Sequence, residues 1–306
     1  MSGFDIRRRV GEQDISGILT LAREIEVADS HKALDDHNWI DLVQGGRKGL
    51  IGLTATAIHG TQLIGYAQIS RSHDLWGIEL LIHPDFRNVH STLGHELLSA
   101  AIDEIRRQGG GHVHCWMAKP NEYCDALANS VGMSRGRDIL QLRRPLPLDI
   151  SNDPPLSVRS FIPGVDESAW LEVNNRAFAW HPEQGDWRLE TLLERESQEW
   201  FDPSGFLLHE IDGRLAAFCW TKVHSDASGR LGEIYVIATD PEFAGRGIGR
   251  RICIAALEHL SNDGVTEAML YVDADNHRAR QMYEDLGFTV DHIDRAFIAD
   301  VRSHPQ

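Results

Sequence analysis

Residues Leu231–Arg251, LGEIYVIATDPEFAGRGIGRR, decide the fold. Glu233 to Ala238 alternates as a buried strand does, Asp240 and Pro241 stop it, and Ile252, Cys253, Ala256, Leu257 and Leu260 then recur at helical spacing. Gly245, Gly247 and Gly249 therefore stand at a helix entrance. With no side chains in the way, successive backbone N–H groups can point at an anion there, and the positive end of the helix dipole favours a phosphate. Arg246, Arg250 and Arg251 add positive charge. A nucleotide P-loop ends in Gly-Lys-Ser/Thr, and a dinucleotide fingerprint needs Gly-x-Gly-x-x-Gly directly after the strand. Neither fits. A glycine cluster alone is also compatible with a turn that only packs helix on strand.

A second stretch removes most of the weight of that plain alternative. Ala268 to Asn276, AMLYVDADN, leads into HRARQMYEDLGF with Ala279, Tyr283, Gly287 and Phe288. The two stretches resemble the pyrophosphate loop (Gln/Arg-x-x-Gly-x-Gly/Ala) and the closing strand and helix (Asn-x-x-Ala-x-x-x-Tyr-x-x-x-Gly-Phe) of the GCN5-related N-acetyltransferases. Ala244 replaces the leading Gln/Arg in this chain. The resemblance implies acetyl-CoA as cosubstrate and a mixed α/β fold built on a largely antiparallel central sheet flanked by helices. It places the coenzyme contacts on Ile237, Ala238, Thr239, Ala244, Gly245, Arg246, Gly247, Ile248, Gly249, Arg250, Asn276, His277, Arg278, Ala279, Arg280 and Gln281. It sets the Tyr283 hydroxyl near the cofactor sulfur.

At 306 residues the chain is long for one compact domain and comfortable for two. It shows no secretory segment at its start and no apolar run able to span a bilayer, so a cytoplasmic protein without membrane contact is expected. Cys115, Cys124, Cys219 and Cys253 form no Cys-x-x-Cys pair, which favours free thiols over a disulfide frame or zinc site. His112, His114 and Cys115 alternate on one short strand and cannot close a coordination sphere alone; no metal is expected. A formal charge of −16 argues against a nonspecific nucleic-acid binder, whose affinity comes largely from phosphate contacts. It is compatible with a cationic amine substrate. A monomer is expected.

In chain order, Phe4 to Val10 reads as a strand, Asp14 to Ala28 as a helix, and a second helix runs near Trp39. Gly49 to Ile58 and Gln62 to Ser70, turning at His59 and Gly60, read as a hairpin. Ile78 to Ile82, Leu93 to Arg106, His112 to Met117, Asn121 to Ser130 and Asp138 to Arg143 follow as strand, helix, strand, helix and strand. Pro145, Pro147, Pro154 and Pro155 mark a linker. The same order then begins again, with Ser157 to Phe161, Asp166 to Ala177, and a hairpin from Gly205 to His224 turning at Asp212 and Gly213. Two tandem domains are expected, 1–147 and 148–306. Aligning Pro84 with Pro241 sets Arg87, His90 and Thr92 at the loop positions of Ala244, Gly247 and Gly249, and Trp76 opposite Glu233. Aligning Gly132 with Gly287 sets Ala128 opposite Tyr283. The first domain thus lacks the loop, the carboxylate and the hydroxyl, and is expected to be degenerate and non-catalytic.

Acyl transfer to an alkyl amine needs a base, since the amine is mostly protonated at neutral pH. Glu233 is the carboxylate whose strand position brings it nearest the loop, and Tyr283 is the candidate acid for the departing thiolate. Val173 to Phe178, His181 to Gly185, Trp200 to Pro203, Trp220 to His224 and Leu270 to Asn276 are similar to the mycothiol synthase family of tandem acetyltransferases. That resemblance implies acetyl transfer to the cysteinyl amine of a cysteine-glucosamine-inositol precursor. It places substrate contacts on Asp36, Glu183, Lys222, Glu233 and Tyr271, with Asp36 standing where the family has Glu. Phe297 stands where the family carries a terminal-strand Tyr. Transfer to another small-molecule or peptide amine, and a noncatalytic acyl-CoA-binding relative, are the alternatives.

Overall fold

The computed structural model describes residues 4–7, 12–29, 32–34, 36–43, 51–57, 60, 62–72, 75–88, 90–148, 153–179, 185–226 and 229–303. These fall into two compact units, Met1–Ile139 with His292–Gln306, and Leu140–Asp291.

The first unit contains β1 (Phe4–Arg7), α1 (Glu12–Asp29), α2 (Asp36–Val43), β2 (Ile51–Ala57), β3 (Leu63–Ser72), β4 (Leu75–Ile82), α3 (Leu93–Arg107), β5 (Gly110–Ala118) and α4 (Glu122–Ser130). β6 (Ser134–Pro145) starts here and ends in the second unit. The second unit continues with β7 (Arg159–Ser160), α5 (Glu167–Ala177), α6 (Leu189–Glu196), β8 (Phe206–Ile211), β9 (Arg214–Asp226), β10 (Gly229–Thr239), α7 (Ile248–Asn262), β11 (Glu267–Asp273) and α8 (His277–Asp285). β12 (Thr289–Arg302) starts in the second unit and joins the first from His292 on.

Strands of the first unit lie in the order β1, β2, β3, β4, β5, β12, and those of the second in the order β7, β8, β9, β10, β11, β6. β4 pairs with β5 and β10 with β11 in parallel, while β1–β2–β3–β4, β5–β12 and β7–β8–β9–β10 pair antiparallel. A parallel pair cannot be closed by a hairpin, and α3 and α7 supply the two crossovers. The mixed α/β fold and its largely antiparallel sheet are therefore as the resemblance implies. His292–Gln306 comes last in the chain yet belongs to the first unit, where β12 pairs with β5 from Asp294 opposite Ala118 to Arg302 opposite Gly110.

The internal repeat is visible at the level of single bonds. His83 and Asp240 each cap a 3₁₀ turn with a side chain that accepts the N–H two residues on, at Pro84–Phe86 and Pro241–Phe243. At the ends of α4 and α8, Met133 N donates to Ala128 O and Phe288 N to Tyr283 O, both at 3.0 Å. Ala128 thus does stand where Tyr283 stands.

One alignment needs correction. β4 pairs β3 without a register shift, whereas β10 shifts against β9 between Ile234 and Val236. The bulge adds a residue to β10, so counting back from the prolines slips by one. Through the parallel partners, Glu233 faces Met269 and Gly77 faces His114, both partners lying equally far ahead of the capping Asn121 and Asn276. Gly77, rather than Trp76, matches Glu233, and Trp76 instead buries its ring and donates from Nε1 to Gly110 O at 3.0 Å.

The second unit's core is aromatic. Phe206 stacks between Phe161 (4.4 Å, 2°) and Trp220 (4.5 Å, 7°), while Trp170 meets Phe206 and Phe218 edge-on. Each such pair contributes about 0.5–1.5 kcal/mol beyond the area it buries. This cluster anchors β8 and β9 and so fixes the strand beside β10. On the opposite side of the site, α7 lies close against β10 because Gly232 has no side chain; a Cβ there would fall 2.8 Å from Leu260 Cδ1.

Candidate active site

The loop ahead of α7 has the conformation that an anion site requires. Gly245 (φ +79°) and Gly247 (φ +71°) occupy the left-handed region, and a Cβ on either would meet nothing within 4 Å. The glycines therefore serve the backbone path and leave the space above them open. Gly247 caps α7 without a side-chain hydrogen bond, and the first helical bond runs from Arg251 N to Gly247 O. The N–H groups of Ile248, Gly249 and Arg250 precede it and lack helical acceptors, so they carry the positive end of the dipole.

Around this loop the arginines are held differently. Arg250 donates from Nε to Asp153 Oδ2 at 3.0 Å, leaving its two Nη groups without partners among the described residues. Arg246 lies over the Phe243 ring at 5.3 Å. Arg251 instead lines a cavity of about 270 Å³ with Asp153, Pro154, Pro155 and the α7 residues Ile254 and Glu258. The described residues of the first unit form no such loop: Arg87 turns inward, donating to Ile82 O at 2.7 Å and Asp29 at 2.6 Å, and Thr92 caps α3 in an ordinary helical conformation.

β10 opens beside the loop. Its parallel pairing with β11 runs from Leu231 opposite Glu267 to Ile234 opposite Leu270 and ends there, although both strands continue. The bulge at Tyr235 coincides with this point. Ile237, Ala238 and Thr239 lie past the split, paired only to β9, so their backbone groups on the β11 side can receive the amides of an extended ligand arm. The Thr239 side chain approaches the loop, its Oγ1 3.3 Å from where a Cβ of Gly249 would stand.

Glu233 sits just before the split and is 7% exposed. Lys222 is its cross-strand partner and His224 follows two residues on, so Lys222, His224 and Glu233 share one face of the β9–β10 pair. Glu233 Oε2 lies 2.6 Å from His224 Nε2. Lys222 is 3% exposed, and its Nζ stands 4.2 Å from the Trp200 ring and 5.7 Å from that of Tyr235. Such a cation over aromatic faces gains about 2 kcal/mol where water is excluded. Arg195 completes this wall, donating to the Tyr235 hydroxyl at 3.0 Å while covering Trp187 at 4.3 Å.

Tyr283, on α8, is 5% exposed and packs edge-on against Phe288 at 5.8 Å. Burial, with Cys253 and then Cys219 beside it, holds its phenol well above the ordinary range, so it keeps its proton. Asn276 caps α8 by accepting from Ala279 N at 3.1 Å, which sets Ala279 in the first turn. His277 and Arg278 are exposed there, Arg280 donates to Ala274 O at 2.8 Å, and Gln281 bonds Asp285 within the helix. Tyr271, on β11, is 42% exposed and its hydroxyl accepts from Gln141 Nε2 at 2.8 Å. Glu183 and the side chain of Asp36 lie outside the described residues. Phe297 is 1% exposed in the first unit's core, opposite Cys115.

Three contributors escaped the sequence reading. His224 and Trp200 were visible only within stretches that carry the family resemblance, and Asp153 stood unassigned beside the linker prolines Pro154 and Pro155. A Lys and a His two apart on one strand could have flagged a shared polar face. The described residues contain no group of three or more His, Cys, Asp or Glu able to hold a metal, and no described helix is long and apolar enough to cross a membrane.

Comparison with known proteins gives a consistent answer. Residues 170–288 match the model of the acetyltransferase (GNAT) family. The chain is 46% identical to a mycothiol acetyltransferase of Acidimicrobium ferrooxidans, covering 92% of each chain, and 42% identical to one of Thermobispora bispora, covering 93% and 95%. Among solved structures it resembles a GCN5-related N-acetyltransferase of Sphaerobacter thermophilus (TM-score 0.74, 22% identity, 100% and 98% coverage). It also resembles a tandem GNAT protein from the clavulanic acid pathway (TM-score 0.71, 14% identity, 99% of both chains). At those identities the structures speak to the fold, whereas the two relatives, alike over nearly their whole length, settle the lineage: this chain belongs to the mycothiol acetyltransferase family, a branch of the GNAT acetyltransferases.

Proposed function

We propose that the second unit transfers an acetyl group from acetyl-CoA to the cysteinyl amine of the cysteine-glucosamine-inositol precursor, forming mycothiol. The observation that carries this reading is Glu233, a buried carboxylate on the strand that leads into the uncapped amino terminus of α7. The names of its relatives, mycothiol acetyltransferases, support the choice of acceptor.

Acetyl-CoA supplies the activated acetyl thioester. The N–H groups of Ile248, Gly249 and Arg250 and the guanidinium of Arg250 hold its diphosphate, and the unpaired edge of Ile237 to Thr239 receives the amides of its arm. Glu233 takes one proton from the substrate ammonium, which frees the nitrogen lone pair for attack on the thioester carbon. Tyr283, which stays protonated, donates toward the leaving sulfur. A thiolate with an ordinary pKa of about 8.5 leaves tolerably well, so this donation contributes modestly. Lys222 and Tyr271 meet the polyhydroxylated acceptor. The first unit is non-catalytic on this reading, since Gly77 and Ala128 replace the two reacting side chains.

An acceptor panel tests the assignment. Acetyl-CoA consumption is followed with the inositol precursor, free cysteine, glucosamine and a lysine peptide. The precursor is expected to give the highest kcat/KM by at least tenfold; equal rates across the panel, or a higher value for another amine, would displace it.

A further inference from the structure

We infer that His224 is the positioning residue of the general base: it holds Glu233 by one carboxylate oxygen and thereby commits the other to the substrate proton. The inference rests on the base role proposed for Glu233. Its geometry is set by the sheet. His224 is opposite Leu231 and Glu233 opposite Lys222, so the imidazole crosses diagonally to the carboxylate on the shared face. Nε2 and Oε2 stand 2.6 Å apart, with the side chains 14% and 9% exposed.

A carboxyl group this far removed from water is costly to leave without a hydrogen-bonding partner. Among the described residues His224 is the hydrogen-bonding partner that Glu233 has, and the bond occupies Oε2 alone. A carboxylate oxygen can only accept, so Nε2 is the donor in this contact. Oε1 accepts from no described residue and is the oxygen left to act. In the reaction the ammonium N–H bond breaks and an Oε1–H bond forms, while the Oε2 contact persists and keeps the carboxyl plane from rotating.

The contact fixes the orientation of the carboxylate, which matters because a displacement of about 1 Å in a reacting group costs on the order of a hundredfold in rate.

The experiment compares H224L, which removes the donor, with H224Q, whose amide N–H can replace Nε2, in wild-type and E233Q backgrounds. H224L is expected to lower kcat roughly ten- to a hundredfold, with the Kd for acetyl-CoA unchanged, and H224Q to recover most of that loss. In the E233Q background H224L is expected to cost nothing further. A second readout is independent of turnover: in spectra of protein labelled with nitrogen-15 histidine, the imidazole signal missing from H224Q should move in E233Q. H224L with wild-type kcat, H224Q no better than H224L, a full loss persisting in E233Q, or an unmoved imidazole signal would each overturn the inference. Should H224L fail to fold, the H224Q spectrum and kcat still decide it. Failure of the base role shows differently, as full turnover by E233Q alone.

Discussion

Replacing Gly247 by Ala perturbs stability and coenzyme binding by amounts that the structure allows to be separated. At φ +71° an Ala is strained, and since its Cβ would meet nothing within 4 Å, the strain is purely that of the backbone. A left-handed non-glycine residue costs about 1–2 kcal/mol, while the stiffer unfolded chain returns about 0.4–1 kcal/mol. The net loss is about 1 kcal/mol, or about 2–4 °C in Tm for a cooperative unit of this size. The control is Gly213, in the β8–β9 turn, whose φ is +75° and whose Cβ is equally unobstructed. G213A should lose the same stability. Only in G247A does the added methyl enter the space over the α7 amides, where it would separate a phosphate from one or two N–H donors. Charge-assisted bonds of about 1.5–3 kcal/mol each make this a weakening of roughly ten- to a hundredfold or more. Thermal melts give the first quantity and calorimetric titration with acetyl-CoA the second. Equal Kd values for G247A, G213A and wild type, with matched melting temperatures, would refute the claim that these amides grip the coenzyme.

Two further outcomes are expected. Glu196, pushed up to about 7 by burial and then by Glu167, has an Oε1 that is buried without a partner among the described residues. Its folded-state pKa is raised, so the stability it contributes is complete below the ordinary Glu range near 4 and is lost as pH rises through about 7. E196Q, fixed in the neutral form, should therefore melt above wild type at pH 8 and level with it at pH 4; an offset constant across that range would contradict the assignment. D153N weakens the contact that aims Arg250 at the loop, and should raise KM for acetyl-CoA several-fold while kcat stays within twofold, so a fall in kcat at unchanged KM would place Asp153 elsewhere in the mechanism.

What could be read from residues alone divides along physical lines. The loop was legible because left-handed backbone selects glycine, and Gly245 and Gly247 take that conformation. Asp212 (φ +53°) and Gly213 announced their hairpin for the same reason. The repeat was legible because local capping and turn chemistry recur at His83 and Asp240 and at Asn121 and Asn276. Pairing was less so. Nothing in the alternation of β12 says which strand it joins, and it lies beside β5, far earlier in the chain. The bulge at Tyr235 leaves no composition signal, yet it shifts the repeat alignment by one residue and marks the end of the β11 pairing. His224 was hidden because its bond to Glu233 depends on strand register, which side-chain identity does not encode. α6 had no counterpart among the sequence expectations; its Leu192 is fully buried whereas Leu189 and Leu193 are half exposed, a face too narrow to stand out.

The central claim, acetyl transfer to a cysteinyl amine with Glu233 as base, is tested most directly by one paired measurement. Wild type and E233Q are supplied with acetyl-CoA and the inositol precursor, and the product is identified by mass while its rate of formation is followed. The account predicts an N-acetylated product from wild type, and from E233Q a kcat lower by about a hundredfold or more with the Kd for acetyl-CoA unchanged. Undiminished turnover by E233Q, or no acetylated precursor from wild type, would contradict it.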